Sequence, residues 1–210
     1  MIGVIDCGCG NPGSIQNMLR KLGHRSVLVK SESDFDGCSA IVLPGVGAYD
    51  NVCQKVQSSG LVNRLEHLVL EEKIPFLGIC VGMQMLFNES EEGTLSGFGW
   101  IPGRVKRFEH ALMKEQNLKV PHMGWNIVTP KNANVILNFN EYEELRFYFV
   151  HSYHADCPDE YVIGECLYGY KFPCAVQKEN IFGAQFHPEK SHKFGMMLFK
   201  NFLEYANASN

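Results

Sequence analysis

The chain has 210 residues, the size expected of a single domain spanning 1–210, and is long enough to bury a sizeable core without disulfides or metals. Its 19 basic and 23 acidic residues are well mixed at a net charge of −4, so no basic block marks a nucleic-acid surface and no lysine-rich amphipathic stretch marks a membrane surface. No apolar run approaches the roughly 20 residues that cross a bilayer, and the opening MIGVIDCGCGN lacks the basic flank and cleavage site of a signal peptide; a cytoplasmic protein is expected.

In chain order, residues 1–6 read as a buried strand ending in a glycine-rich turn. Residues 12–22 follow with helical spacing of Ile15, Met18, Leu19 and Leu22. Strands are predicted at 26–30 and 40–43, one or two helices over 50–72 with a break near 58–60, a strand at 75–79 and a helix at 81–87. Strands alternating with helices at this rhythm imply an α/β fold, with a mainly parallel central sheet covered by helices on both faces. From about residue 98 the pattern changes to short aromatic and β-branched segments at 104–108, 146–150, 161–167, 175–178 and 181–185. Turn signals at Gly103, 138–140 and 178–180 divide them, so antiparallel strands are expected to join the sheet. A final helix is predicted over 191–205, with Phe194, Met197, Leu198 and Phe202 on one face.

The eight cysteines stand at 7, 9, 38, 53, 80, 157, 166 and 174. Cys7 and Cys9 form C-x-C, near the predicted sheet edge, and nothing has zinc spacing; apart from Cys80 these read as packed thiols, and no metal or cofactor is expected. Cys80 differs because it stands in Gly78-Ile79-Cys80-Val81-Gly82, between a predicted strand and a predicted helix. That is the nucleophile-elbow pattern with cysteine in the serine position. Glycines on either side let the chain fold back on itself, the helix N-terminus favours the thiolate, and the Val81 N–H is free to donate to an oxyanion.

A second segment, Ile181 to Glu189, runs an apolar strand into His187-Pro188-Glu189. Pro188 biases His187 to an extended conformation, in which residues two apart share a side, so Glu189 can orient His187 as a general base. Among the other histidines, His24, His67 and His110 sit in polar surroundings and are expected at the surface. A third segment, Pro44-Gly45-Val46-Gly47, follows a strand directly; taken alone it is an ordinary turn, and beside the other two it is a candidate second oxyanion donor.

Together the ordered segments PGVG, GICVGMQ and FHPE resemble the class I, triad-type glutamine amidotransferases over nearly the whole chain. The resemblance implies a three-layer, flavodoxin-like fold and a glutaminase using Cys80, His187 and Glu189. Within that family, Pro121-His122-Met123-Gly124-Trp125-Asn126 and Phe147-Tyr148-Phe149-Val150-His151-Ser152-Tyr153 are most similar to the glutaminase subunits of imidazole glycerol phosphate synthase, in histidine biosynthesis. The resemblance implies that Gln84 and Glu92 contact L-glutamine, together with the backbone around His151, Ser152 and Tyr153. It places Pro121 to Asn126 at the interface with a (β/α)8-barrel cyclase subunit, which receives ammonia through an internal channel. Val81 stands where leucine is usual, and Cys7 and Cys9 where tyrosine and methionine are common; none of these puts the chemistry in doubt. Other readings stay open at this point: a cysteine peptidase or thiol-dependent deglycase on a related fold, a scaffold without activity, or a paralogous glutaminase supplying ammonia for an amidino sugar of bacterial surface polysaccharide. Trp125 is equally well read as core or as part of an exposed apolar patch.

Overall fold

The computed structural model describes residues 1–131, 134–139 and 143–208. β1 (Ile2–Ile5) leads through α1 (Pro12–Lys21) to β2 (Ser26–Val29) and β3 (Ala40–Gly45). Then come α2 (Tyr49–Ser58), α3 (Val62–Glu66), a π-helical turn over His67–Glu71, β4 (Phe76–Cys80) and α4 (Val81–Gln84). The second half holds β5 (Glu89–Ser90), β6 (Arg104–Arg107), α5 (His110–Glu115), β7 (His122–Pro130), β8 (Leu145–His151), β9 (Tyr153–Asp156), β10 (Val162–Tyr168), β11 (Tyr170–Lys178), β12 (Ile181–Ala184) and α6 (His192–Ala208).

Among the described residues a nine-stranded sheet runs in the order β2-β1-β3-β4-β12-β11-β10-β7-β8. It is parallel from β2 to β12 and antiparallel from β12 to β8. A small sheet, β5-β6-β9, packs beside it. Every residue of β1, β3, β4 and β12 is buried, which requires cover on both faces and explains why these strands read as unbroken apolar runs. α1 starts where expected: Asn11 Oδ1 accepts the Ser14 N–H at 3.1 Å and Pro12 occupies the first turn, where a missing N–H costs nothing. α6 buries Phe194, Leu198 and Phe202, and Phe182 of β12 meets Phe202 edge-on with centroids 5.8 Å apart.

Several boundaries differ from the sequence reading. The helix after Cys80 is one turn, Val81–Gln84, because the chain then leaves to form β5. The predicted 50–72 helix breaks where expected, at Ser59 and Gly60, and then resumes. β7, β9 and α5 were not anticipated; β7 carries His122 to Asn126, read from sequence only as an interface segment. The predicted turn at 138–140 ends on Asn140, which lies outside the described residues. β1 lies one strand in from the sheet edge, and Cys9 is buried while Cys7 is half-buried.

The topology aligns three strand ends. Gly45 of β3 is in register with Cys80 of β4, and Ile79 is in register with Ala184 of β12. The segment 185–189 therefore leaves the sheet beside the nucleophile candidate, at the carboxyl ends of parallel strands, where open α/β sheets hold their sites.

Candidate active site

Cys80 has φ 56° and ψ −111°, a conformation that costs a side-chain-bearing residue about 1–3 kcal/mol and survives only when its surroundings impose it. Those surroundings are glycines. A Cβ on Gly78 would lie 2.4 Å from the Gly82 carbonyl oxygen, and one on Gly82 would lie 2.1 Å from the Leu43 carbonyl oxygen. The elbow is thus wedged against β3, and no larger residue fits at either position.

His187 sits at the base of the same cleft and is buried, as is the side chain of Glu189; the His187 Nδ1 lies 2.7 Å from Glu189 Oε1. The carboxylate can only accept, so Nδ1 carries the proton and Nε2 is left toward the cleft. Two contacts hold this strand end against β8. The His187 N–H donates to the Tyr148 carbonyl at 2.9 Å, and buried Ser191 donates from Oγ to the His187 carbonyl at 2.6 Å while accepting the Tyr148 N–H at 3.0 Å. Burial disfavours the imidazolium, but the Cys80 and Glu189 side chains outweigh it and raise the His187 pKa to about 9. Nε2 makes no well-aligned hydrogen bond among the described residues, yet Cys80 is close enough to act on its charge. The cleft therefore favours the protonated imidazolium of His187 beside the Cys80 sulfur.

A cleft of about 370 Å³ opens over these groups, within the range of small-molecule sites. Its walls include Val46, Gly47, Cys80, Val81, Gln84, Glu92, His151, Ser152, Tyr153 and His187, all singled out from sequence. Gly45 is buried beneath the elbow, and Glu189 stands behind His187; neither lines the cleft. Gly47, at φ 111°, gives the loop after β3 a conformation open to glycine, and Val46 stands exposed at the rim. Glu92 Oε2 accepts the Tyr49 N–H at 3.2 Å, and burial raises its pKa. Asp50 accepts the Thr94 and Leu95 N–H groups at 3.0 Å, fixing the turn that carries Glu92 to the helix following the Val46 loop.

Pro121, Val150 and Lys190 also line the cleft and were not read from sequence as site residues, although Pro121 was placed at an interface. Lys190 follows Glu189 directly, so position along the chain could have found it. Asp50 could not be found, because it acts on a turn distant in sequence. The segment 121–126 splits by the period of a strand. His122 is buried, contrary to a wholly outward-facing segment, whereas Met123 and Trp125 are 61% and 48% exposed. Trp125 thus belongs to a surface patch with Met123 and Ile127 and not to the core; it stacks on His192 with planes 6° apart. His67 and His110 are exposed and His24 half-exposed. Among the described residues no group of three or more His, Cys, Asp or Glu could hold a metal, and no helix is long and apolar enough to cross a membrane.

A family model described as "Glutamine amidotransferase class-I" matches residues 3–205. The imidazole glycerol phosphate synthase subunit HisH of Leptospira interrogans is 48% identical over 203 residues, covering 96% of this chain and 98% of its own. The imidazole glycerol phosphate synthase subunit HisH 2 of Pseudomonas aeruginosa is 48% identical over 206 residues, covering 97% and 99%. A crystal structure described as a glutamine amidotransferase superposes with a TM-score of 0.74 at 17% identity, covering 98% of each chain, a likeness of fold.

Proposed function

Because this chain belongs to the class-I glutamine amidotransferase family, we propose that it is the glutaminase subunit of an imidazole glycerol phosphate synthase, hydrolysing L-glutamine to glutamate and ammonia with Cys80, His187 and Glu189 as its triad. The observation that carries the triad is the strained Cys80 at the floor of a cleft, with the buried His187–Glu189 pair on the next strand end.

The reaction runs through a covalent intermediate. Glutamine enters with its side-chain amide over Cys80, held through Gln84, Glu92 and the His151–Tyr153 segment. His187 accepts the Cys80 proton, and the thiolate attacks the amide carbon. The Val81 N–H and a peptide of the Gly45–Gly47 loop receive the oxyanion. The imidazolium protonates the departing nitrogen, ammonia leaves, and a glutamyl thioester remains. Water, deprotonated by His187, hydrolyses the thioester; glutamate leaves and the thiolate–imidazolium pair is restored. Glu189 orients His187 throughout. No metal or organic cofactor takes part.

The exposed apolar stripe bears on the partner. Met123 pairs with Val150 in the β7–β8 ladder, and Val150 also lines the cleft, so the patch adjoins the cleft mouth. A (β/α)8-barrel cyclase seated on Met123, Trp125 and Pro121 would cover both and receive ammonia without loss to solvent. The test is glutamate release by the chain alone and with a purified cyclase subunit plus its nucleotide substrate. A large rise with both present is expected. No rise, with the cyclase active on free ammonia, would remove the synthase assignment and leave a glutaminase serving another acceptor.

A further inference from the structure

The buried amide of Gln185 faces the nucleophile, and its direction is set by a chain of neighbours. Gln185 has no exposed surface and sits one residue past β12, next to Cys80 across the parallel ladder. Its Nε2 lies 3.7 Å from Cys80 Sγ, within hydrogen-bond range of sulfur. Burying a primary amide is costly unless its polar atoms are used, and a leucine would fill the same space at no such cost. The amide therefore calls for a reason.

The direction is settled by one carbonyl. The Tyr153 carbonyl oxygen can only accept, and it receives Gln84 Nε2 at 3.2 Å and His151 Nδ1 at 2.8 Å. Gln84 Nε2 also reaches Gln185 Oε1 at 3.1 Å, spending its other hydrogen there. With its oxygen held by Gln84, Gln185 has only its N–H left to present to the sulfur. The other arm is fixed in the same way. His151, donating from Nδ1, accepts at Nε2 from His122 Nδ1 at 3.0 Å, and His122 Nε2 accepts from Asn126 Nδ2 at 3.1 Å. Burial pushes the His122 pKa down to about 4 and that of His151 well below its usual value, which keeps both rings neutral and in these tautomers.

We propose that Gln185 is a further catalytic residue, a side-chain N–H donor to the Cys80 sulfur that stabilises the thiolate, with Gln84 and the Tyr153 carbonyl as the positioning groups that keep its amide in the donating sense. A thiolate accepts this bond more strongly than a thiol, so the contact favours the charged form. It also holds Sγ against rotation away from the cleft. The proposal rests on the reading of Cys80 as nucleophile.

The experiment measures alkylation of the full chain by iodoacetamide from pH 5 to 9, with peptide mapping of the modified cysteine, for the native protein, Gln185→Leu and Gln185→Glu. Iodoacetamide needs no glutamine site, so the rate reports the sulfur itself. In the native chain Cys80 is the residue labelled fastest; labelling elsewhere would overturn the nucleophile reading. Given that result, Gln185→Leu slows Cys80 alkylation about tenfold, the worth of one charge-assisted bond, and moves the rate profile to higher pH. Gln185→Glu keeps the shape but turns an acceptor toward the sulfur, so it slows the reaction more than leucine does. In glutamine turnover kcat falls in both variants while KM changes little. Thermal melting identifies a variant that is not folded, and the isosteric Gln185→Glu carries the test if leucine is not tolerated. A folded variant alkylated at the native rate, or a glutamate variant no slower than the leucine one, overturns the proposal.

Discussion

The two halves of the large sheet follow different rules. From β2 to β12 the strands are parallel, and the central ones are buried along their whole length. From β11 to β8 they are antiparallel and, in β7 and β8, alternate between buried and exposed residues. The parallel half is a fully buried floor that holds Cys80 in its strained conformation through backbone contacts. The antiparallel half brings Val150 and His151 to the cleft wall, from which the chain continues through Ser152 to Tyr153 of the small sheet, and leaves an apolar face uncovered at Met123, Trp125 and Ile127. Chemistry needs the first kind of surface and docking the second, and here the two meet at Val150.

That division is open to test, from the largest effect to the smallest. Cys80→Ala should lower glutamine hydrolysis by about 10³-fold or more with the fold intact, measured as glutamate release beside a melting curve; retained turnover would end the triad proposal. Leu77, fully buried in β4, and Ile127, 38% exposed in β7, are a matched pair. Leu77→Ala should cost about 2–5 kcal/mol in denaturant unfolding, and Ile127→Ala no more than about 0.5 kcal/mol, since it leaves no cavity. Similar losses at the two sites would mean that the halves are equally packed. Trp125→Ala should weaken cyclase binding by about thirtyfold while leaving glutamate release by the isolated chain unchanged; an unaffected titration would place the interface elsewhere.

The pH dependence belongs to the floor. His187 has a folded pKa of about 9, above the about 6.5 of an unfolded histidine. Its contribution to stability is therefore full below pH about 6.5 and is lost as pH rises toward 9. Turnover, which reads the folded state alone, should decline as pH rises through about 9, where His187 loses the proton needed by departing ammonia. Glu189→Gln removes the carboxylate that supports this charge and should move the limb to lower pH; a limb that stays in place would show that Glu189 does not act on His187.

The parallel half was legible because burial on both faces leaves a plain trace: MIGVI, AIVL and PFLGI are continuous apolar runs, each followed by glycines at the strand end. The glycine pair around Cys80 and the His-Pro-Glu spacing were visible for the same reason, since backbone crowding and strand geometry act over a few residues. β7 was harder. HMGWNIVTP contains glycine, asparagine and proline, and its large apolar residues point outward, so it does not resemble a core strand.

Local order along the chain determined the parallel α/β framework, the elbow at Cys80 and the pairing of His187 with Glu189, because each depends on neighbours within one turn or one strand. What only the tertiary structure decided are contacts between distant segments. They include Asp50 fixing the turn after Glu92, His122 turning inward while Trp125 faces out, and the Gln84 amide turning Gln185 toward sulfur. A hydrogen bond of that kind has no period and no composition; it exists only once strands far apart in sequence are placed side by side.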